Sequence, residues 1–388
     1  MRADTTFALL AQALAVQGLR IIQSNDDGWA ELYTRNFHDV LKASGHDVLL
    51  SAPAENQSGR GSLDLDPEPR KDPCEYDSCP ANSGPTGVNE TSLDLRWVNS
   101  FPVTSMRFGV ESFAPEFFNG SAPELAVTGP NVGSNLFLQV QFSGTVGAAV
   151  YASGKKGIPA IAFSGLSEDR VPYTTSPVPI ASTVYAELAN RLVAKVVEGG
   201  APYLPDNTWL NVNFPTVNDT SCNDPDQFKW VLSRINYATF LSRDDVTTCD
   251  NNGRLPHDVS VVDTPGCYIS LSVGESSFKT TANKDKQQTV LDRLGDFLSC
   301  LPLGAAVSTN PSACQWASSR RHALGKGRAR GRPLPQQAHI VPPEGRGLDD
   351  EEVQLPVDLG DAPVDAGAPL EEPRPGRLLL LLLLLLLL

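Results

Sequence analysis

The sequence is short of basic residues, and it has no apolar run long enough to cross a membrane. Lys and Arg number 31 against 45 Asp and Glu in 388 residues, which gives a net charge of −14 and a pI of about 4.8. Because nucleic-acid backbones attract basic surfaces, this balance argues against a nucleic-acid scaffold as partner. The longest apolar run is the eleven leucines at 378–388, whereas a membrane-spanning helix needs about twenty apolar residues. The sequence therefore predicts no transmembrane helix.

Histidine is scarce as well, and its five positions are scattered along the chain. One of them lies in Arg321-His322-Ala323, which lacks the glycine of the Arg-His-Gly motif used by histidine phosphatases. A histidine nucleophile is therefore not predicted. The other four are predicted to be surface or loop residues rather than ligands: His38, His46, His257 and His339.

Residues 1–18 are predicted to be a secretory signal peptide, with cleavage near 15–18. Most positions from 7 to 16 are apolar, and Ala13-Leu14-Ala15 has the small-x-small pattern of a cleavage site. An ordinary N-terminal helix is the alternative, because two polar residues interrupt the pattern. Sequons for N-glycosylation also favour secretion. They begin at Asn56, Asn89, Asn119 and Asn218.

Seven cysteines fit an oxidising compartment, where cysteine-based catalysis is not expected. Cys74 and Cys79 flank a short polar loop and are predicted to form a disulfide. A zinc site is the alternative, but no second Cys/His pair lies close by. The next four cysteines can pair in three ways, and the predicted pairing leaves Cys314 alone. It joins Cys222 to Cys249 and Cys267 to Cys300.

Residues 19–300 alternate between strand and helix patterns, which predicts an α/β domain with a mostly parallel sheet and helices on both faces. Residues 63–98 are polar and are predicted to form a surface insertion that carries Cys74 and Cys79. The predicted strands are 19–23, 47–51, 124–128, 160–164, 209–214, 229–235 and 267–273, and the predicted helices are 30–44, 143–155, 180–197 and 286–298.

Residues 301–388 form a low-complexity tail that is predicted to be disordered apart from its leucine run. Two interpretations of its end remain open. Small residues at 366–368, a polar spacer at 369–377 and the leucines at 378–388 have the layout of a lipid-anchor signal. A homopolymer after a biased segment is also what translation of a simple repeat produces.

Ser24-Asn25-Asp26-Asp27-Gly28 is the most informative segment of the chain. It follows a short apolar strand, so Asp26 and Asp27 lie where open α/β sheets bind ligands. Two adjacent carboxylates repel each other unless a cation lies between them, and Mg²⁺ or Mn²⁺ prefers such oxygen ligands. An ordinary Asx-turn is the alternative.

Three further loops fall at or near the ends of predicted strands. Residues 52–59 offer the Ser58 hydroxyl and Gly59, where a backbone amide can approach a ligand. Residues 128–136 offer the side-chain amides of Asn131 and Asn135. The last loop is Ser143-Gly144-Thr145, at a helix start where free N–H groups favour an anion.

Six segments, in order between about 19 and 275, resemble the SurE family of survival-protein phosphatases. The segments are Asn25-Asp26-Asp27-Gly28, Ala52-Pro53 with Asn56-Gln57-Ser58-Gly59, and residues 129–136, 143–149, 157–162 and 210–215. The resemblance implies a Rossmann-like three-layer sandwich and a metal-dependent 5′/3′-nucleotidase or acid phosphatase that acts on small phosphomonoesters. It also implies a homo-oligomer.

Carried over by motif, the metal ligands are Asp26, Asp27, Ser58 and Asn131. The phosphate would lie among Asn25, Gly59, Asn135, Ser143, Gly144 and Thr145. Asp26 and Asp27 are the predicted catalytic residues, with Mg²⁺ or Mn²⁺ as cofactor. Whether Asp26 is a general base or only a ligand stays open.

Two segments depart from the family pattern. Trp29-Ala30-Glu31-Leu32 stands where the family has Ala-Pro-Gly, and residues 101–106 lack the aspartate of a Gly-Thr-Pro-x-Asp-Cys loop, which puts nucleoside recognition in doubt. Asn56 heads a sequon in the active loop and is predicted to be unmodified, because a glycan there would block the site. The alternative function is a secreted binding protein that keeps the fold without turnover.

Overall fold

A computed structural model of the protein describes residues 18–166 and 169–302. The strands are β1 Arg20–Ser24, β2 Asp47–Pro53, β3 Thr86–Asn89, β4 Ser92–Val98, β5 Leu125–Val132, β6 Ala160–Gly165, β7 Thr208–Phe214, β8 Lys229–Ser233, β9 Tyr268–Glu275 and β10 Thr280–Thr281. The α-helices are α1 Leu32–Ala43, α2 Pro102–Phe108, α3 Ala114–Phe117, α4 Gln139–Phe142, α5 Gly144–Lys155, α6 Ile180–Glu198, α7 Asp258–Val262 and α8 Lys284–Leu294. A π-helix, Gly109–Phe113, joins α2 to α3.

The strands form one mixed sheet in the order β10-β9-β7-β6-β5-β1-β2-β4-β3, with β8 also paired to β9. β1 lies at the centre, where Ile22 is opposite Leu49 of β2 and Ala126 of β5. β1, β2, β4, β5, β6 and β7 are mutually parallel. β3 pairs antiparallel with β4, β9 with β7 and β10 with β9, while β8 runs parallel to β9. The prediction of a mostly parallel sheet is confirmed, and the carboxyl ends of the parallel strands meet at one edge.

The alternation of side chains along β6 shows why helices cover both faces. Ile161 and Phe163 point into the core shared with α1 and α6, whereas Ala160 and Ala162 point towards α5. Successive residues of a strand face opposite sides of the sheet, and the small residues on the second side let α5 pack close to it. The three-layer architecture is therefore built from the strand pattern itself.

The prediction of a surface insertion at 63–98 is wrong for its last part. β4 lies inside the main sheet, pairs in parallel with β2, and buries Leu95 and Trp97. The charged residues of β4 hide the apolar pattern of a strand in the sequence. In the structure these charges are paired with residues from distant parts of the chain. Arg96 bonds Glu116 at 2.8 Å, and Asp94 contacts Lys42 and a histidine of α1.

That histidine, His38, contradicts the prediction of a surface or loop residue. Its side chain is 1% exposed, and its two ring nitrogens lie 3.0 Å from Gln23 Oε1 and 3.1 Å from Asp94 Oδ2. His257 is buried too. His38 can be buried because both of its ring nitrogens have polar partners, which spacing along the sequence does not show, whereas His257 Nε2 has no hydrogen-bond partner within the described residues.

The disulfides correct one prediction and confirm another. Cys74–Cys79 is formed, with an S–S distance of 2.03 Å. The pairing of the next four cysteines is wrong, because the structure joins Cys222 to Cys267 and Cys249 to Cys300. The parallel pairing of β8 with β9 brings Cys267, just before β9, close to the segment that leads into β8.

Several predictions fall outside the described residues: the signal peptide up to residue 17, the tail from 303, Cys314 and the leucine run. Within the described residues, no helix combines the length and the apolar character that crossing a bilayer requires.

Candidate active site

The candidate site lies at the carboxyl edge of the sheet, where β1 ends in Asn25-Asp26-Asp27-Gly28. Asp26 and Asp27 are both buried, at 3% and 0% exposure. The two carboxylates face different neighbours, because one meets the start of α5 and the other meets the end of β5.

Asp26 is held by the first residues of α5. The Gly144 amide donates to Asp26 Oδ2 over 3.1 Å, and the Thr145 hydroxyl donates to Oδ1 over 2.5 Å. A Cβ atom on Gly144 would lie 2.9 Å from the Cβ of Asp26, so only glycine permits this approach. Ser143 caps the helix by accepting from the Val146 amide over 3.0 Å. The anion at this helix start is therefore Asp26 itself.

Asp27 has one satisfied and one unsatisfied oxygen. Oδ2 accepts from the Val132 amide over 2.8 Å, whereas Oδ1 has no hydrogen-bond partner in the described part of the chain. Burial, then the nearby charges of Asp26 and Glu31, raise the pKa of Asp27 well above its usual range. Burial also raises the pKa of Asp26. The charge of Arg170, whose Nε lies 4.0 Å from Asp27 Oδ1, lowers the pKa of Asp27 but does not outweigh these effects.

Neutral oxygens lie beside the carboxylates. Asn131, from β5, donates its amide to Gly133 O over 2.6 Å, and its Oδ1 lies 3.4 Å from the Thr145 hydroxyl that bonds Asp26. Asn25 donates to Gly28 O and Thr34 Oγ1, which leaves its buried Oδ1 without a hydrogen-bond partner among residues 18–166 and 169–302. The side chain of Asn25 thus holds the turn that presents both aspartates.

The loop that carries Ser58 and Gly59 is tied to the site through its backbone. The Gln57 amide donates to the carbonyl oxygen of Asp26 over 2.7 Å. Ser58 is exposed, and its hydroxyl donates to Asn56 Oδ1 over 2.8 Å, while Gly59 is exposed next to it. The structure therefore brings this loop to Asp26, with the Ser58 hydroxyl engaged by Asn56.

Asn135 is buried among other polar side chains. Its amide nitrogen bonds Ser164 Oγ at 2.7 Å, and its backbone N–H donates to Asn213 Oδ1 at 2.8 Å. Asn211 and Asn213 donate to its carbonyl oxygen. In this arrangement Asn135 anchors the loop after β5, and its contact with phosphate stays a prediction. The sequence motif contains Asn211 and Asn213 but does not indicate this anchoring role.

Three charged residues near the aspartates are missing from the sequence-based prediction: Glu31, Glu75 and Arg170. Glu31 is fully buried, and burial raises its pKa to about 8. Arg170 Nε lies 4.0 Å from Asp27 Oδ1, and Arg170 forms an ion pair with Glu75. Glu31 stands in the segment Trp29-Ala30-Glu31-Leu32, and the departure of that segment from the family pattern is the sequence feature that marks it. No local pattern marks Glu75 or Arg170.

These residues fit a hard divalent cation. The unsatisfied Asp27 Oδ1 and Asn25 Oδ1 are buried acceptors, and the Asn131 amide oxygen lies close to the Thr145 hydroxyl that bonds Asp26. Burial raises the pKa of both aspartates, and the charges of Asp26 and Glu31 raise that of Asp27 further. The described residues contain no group of three His, Cys, Asp or Glu side chains arranged around a metal position. A metal held here would have the two carboxylates and neutral oxygens as its ligands.

Comparison with known proteins decides the family. The sequence model of the family described as Survival protein SurE matches residues 21–237, more than half of the chain. The chain belongs to the SurE family. Its SurE region includes both aspartates, the Ser58 loop and the start of α5.

Similar proteins carry the names of phosphatases. An acid phosphatase of Yarrowia lipolytica is 32% identical over 288 residues, which cover 66% of this chain and 79% of that protein. The 5′-nucleotidase SurE of Microcystis aeruginosa is 31% identical over 52% of this chain and 64% of its own length, and that of Nitrosococcus oceani is 32% identical over 53% and 68%. The crystal structure of the SurE protein from Aquifex aeolicus aligns with a TM-score of 0.47 and 21% identity, over 70% of this chain and 98% of that one.

Proposed function

We propose that the protein is a secreted, divalent-metal-dependent phosphomonoesterase that hydrolyses nucleoside monophosphates or related small phosphate esters. The observation that carries the proposal is the buried pair Asp26 and Asp27, in which Asp27 Oδ1 has no hydrogen-bond partner in the described chain. The family membership and the names of the relatives, acid phosphatase and 5′-nucleotidase, support the reaction class.

Asp26, Asp27, Asn131 and Ser58 would hold the cation, which we propose to be Mg²⁺ or Mn²⁺. When bound, such an ion supplies Lewis-acid polarisation of a phosphoryl group and a more acidic water. The start of α5 orients Asp26 through the Gly144 amide and the Thr145 hydroxyl, so this ligand needs no rearrangement. Backbone N–H groups of the loops next to the aspartates would donate hydrogen bonds to phosphoryl oxygens.

Secretion and oligomerisation are parts of the same proposal. Three disulfides in the described chain support an oxidising compartment. The predicted signal peptide and sequons point the same way, and Asn56 stays predicted to be unmodified. A homo-oligomer remains the expected assembly.

The test is hydrolysis of p-nitrophenyl phosphate and of nucleoside 5′- and 3′-monophosphates by the full chain. We expect activity with Mg²⁺ or Mn²⁺, its loss in EDTA, and its return when the metal is added back. A protein that binds these esters without turnover in every metal would instead be the inactive binding protein. Activity that resists complete removal of metal would contradict the metal-dependent reaction.

A further inference from the structure

Arg170 follows β6 at the same edge of the sheet as the two aspartates. Its Nη1 donates to Glu75 Oε1 over 2.7 Å, and its Nε lies 4.0 Å from Asp27 Oδ1. A distance of 4.0 Å is too long for a hydrogen bond. The guanidinium therefore stays next to Asp27 without closing a full ion pair with it, and its side chain is 33% exposed.

Glu75 is the residue that keeps the guanidinium there. It begins the 3₁₀ turn Glu75–Asp77, which lies inside the loop closed by the Cys74–Cys79 disulfide. Its other oxygen, Oε2, accepts from the Asn56 amide over 2.9 Å. One carboxylate thus fixes both Arg170 and the loop that carries Ser58.

The turn approaches the aspartates closely because Gly28 has no side chain. Gly28 has a φ of +109°, and a Cβ atom on it would lie 2.8 Å from Glu75 Oε2. The disulfide loop therefore packs directly on the motif that carries Asp26 and Asp27.

We propose that Arg170 is a phosphate-binding residue of this site, oriented by Glu75 on the disulfide-closed turn. The inference rests on the proposed function. A guanidinium presents planar N–H donors that match phosphate oxygens, and only Nη1 of Arg170 has a hydrogen bond within the described residues. A phosphoryl dianion next to a cation at Asp27 lies within reach of a guanidinium 4.0 Å from the same carboxylate.

If Arg170 were only a counter-ion of Asp27, its replacement would have a different effect on phosphate affinity. Removing a counter-ion would leave phosphate affinity unchanged and would tighten metal binding, because a positive charge beside the metal is lost. Removing a phosphate-binding residue lowers phosphate affinity instead. The two roles are separated by measuring both affinities.

The experiment is calorimetric titration of inorganic phosphate into the Mn²⁺-loaded protein, with Mn²⁺ titrated separately into the metal-free protein. Arg191→Ala is the matched control, because Arg191 is 38% exposed and forms a comparable ion pair with Asp226 at 2.7 Å. We expect Arg170→Ala to weaken phosphate binding about tenfold or more. Arg170→Lys and Glu75→Gln should fall in between, with Arg191→Ala unchanged.

Phosphate affinity equal to wild type in Arg170→Ala would overturn the inference, and so would absence of phosphate binding by the wild-type loaded protein. The proposed function can fail separately. If the wild type hydrolyses no ester while Arg170→Ala still loses phosphate affinity, the enzyme assignment fails and the binding role of Arg170 stands. If the wild type hydrolyses esters and Arg170→Ala binds phosphate normally, only the inference fails.

Discussion

Two buried aspartates, Asp27 in the turn after β1 and Asp94 in β4, have pKa values shifted in opposite directions. Asp94 is hydrogen-bonded to His38 and Lys42. Burial raises its pKa, but those bonds outweigh burial and leave the pKa below its usual range. Asp27 has only the Val132 amide as a hydrogen-bond donor within the described residues, with Arg170 4.0 Å away, so burial and the charges of Asp26 and Glu31 raise its pKa.

The difference separates a structural carboxylate from a ligand. Asp94 is neutralised by residues of its own chain, so its charge stabilises the fold. Asp27 keeps an unsatisfied oxygen and a buried charge that Arg170, 4.0 Å away, compensates only in part, which favours the binding of a cation. Burial alone therefore does not indicate function, whereas burial without a partner does.

Neutralising the carboxylates of the site should have the largest effect and should distinguish Asp27 from Asp94 most clearly. We expect Asp27→Asn or Asp26→Asn to lower kcat/KM about 10³-fold or more, because each removes a negative metal ligand. Asp27→Asn should not lower the melting temperature of the metal-free protein, since a buried charge that Arg170 compensates only in part is removed. Steady-state kinetics and thermal melting measure the two effects. Near-wild-type activity of both variants in metal-replete buffer would refute the site.

Asp94→Asn should do the reverse. We expect a loss of about 2 kcal/mol in the free energy of unfolding at pH 7, because charge-assisted hydrogen bonds to Asp94 are weakened. Activity below the melting range should stay near wild type. Urea unfolding and kinetics of the same preparation check this, and a large loss of activity with normal stability would contradict it.

The stability difference between wild type and Asp94→Asn should also depend on pH. The pKa of Asp94 is lowered in the folded state, so its contribution is fully present above the unfolded pKa of about 3.9 and is lost as the pH falls through the folded pKa. The stability difference measured from unfolding curves should therefore be constant between about pH 7 and about pH 5 and should begin to shrink only below about pH 4. A difference that does not shrink as the pH falls below about pH 4 would remove Asp94 as its source.

Ser58→Ala compares the contribution of a neutral proposed ligand, the Ser58 hydroxyl, with that of a charged one, the Asp27 carboxylate. We expect a fall in kcat/KM of about tenfold, which is about 1.4 kcal/mol, because a hydroxyl contributes less to binding a dication than a carboxylate does. Excess Mn²⁺ should recover part of the loss. A fall as large as that of Asp27→Asn would place Ser58 in a more direct role.

Removing the tail should have the smallest effect. A chain that ends at residue 305 retains the Cys249–Cys300 disulfide, both aspartates and the pair formed by Asp94. We expect it to fold and to hydrolyse phosphomonoesters as well as the full chain. Loss of soluble, active enzyme would show that the tail belongs to the structure.

Most of the sheet can be predicted from local sequence, because β1, β5, β6 and β7 each contain a cluster of apolar residues. β4 cannot be predicted in this way, since Asp94 and Arg96 are buried only through partners elsewhere in the chain. The same holds for the cysteine pairing, where β8 lies beside β9 and the nearest cysteines in sequence are not the nearest in space.

The candidate site also has a part that local sequence predicts and a part that it does not predict. Asp26, Asp27 and Gly144 belong to short motifs at strand and helix ends, so their meeting follows from the topology of a parallel sheet. Glu75 and Arg170 are far apart in sequence and meet only because a disulfide-closed turn packs on Gly28. No periodicity or motif in the chain encodes that contact.

The most direct test of the central claim is calorimetric titration of Mn²⁺ into metal-free wild type, Asp27→Asn and Asp94→Asn. If Asp27 is a cation ligand and Asp94 a structural partner, the wild type and Asp94→Asn bind one ion per chain with similar affinity. Asp27→Asn should bind at least about tenfold more weakly. Equal affinity in Asp27→Asn and wild type, or no binding by the wild type, would contradict the assignment of Asp27 as the metal ligand.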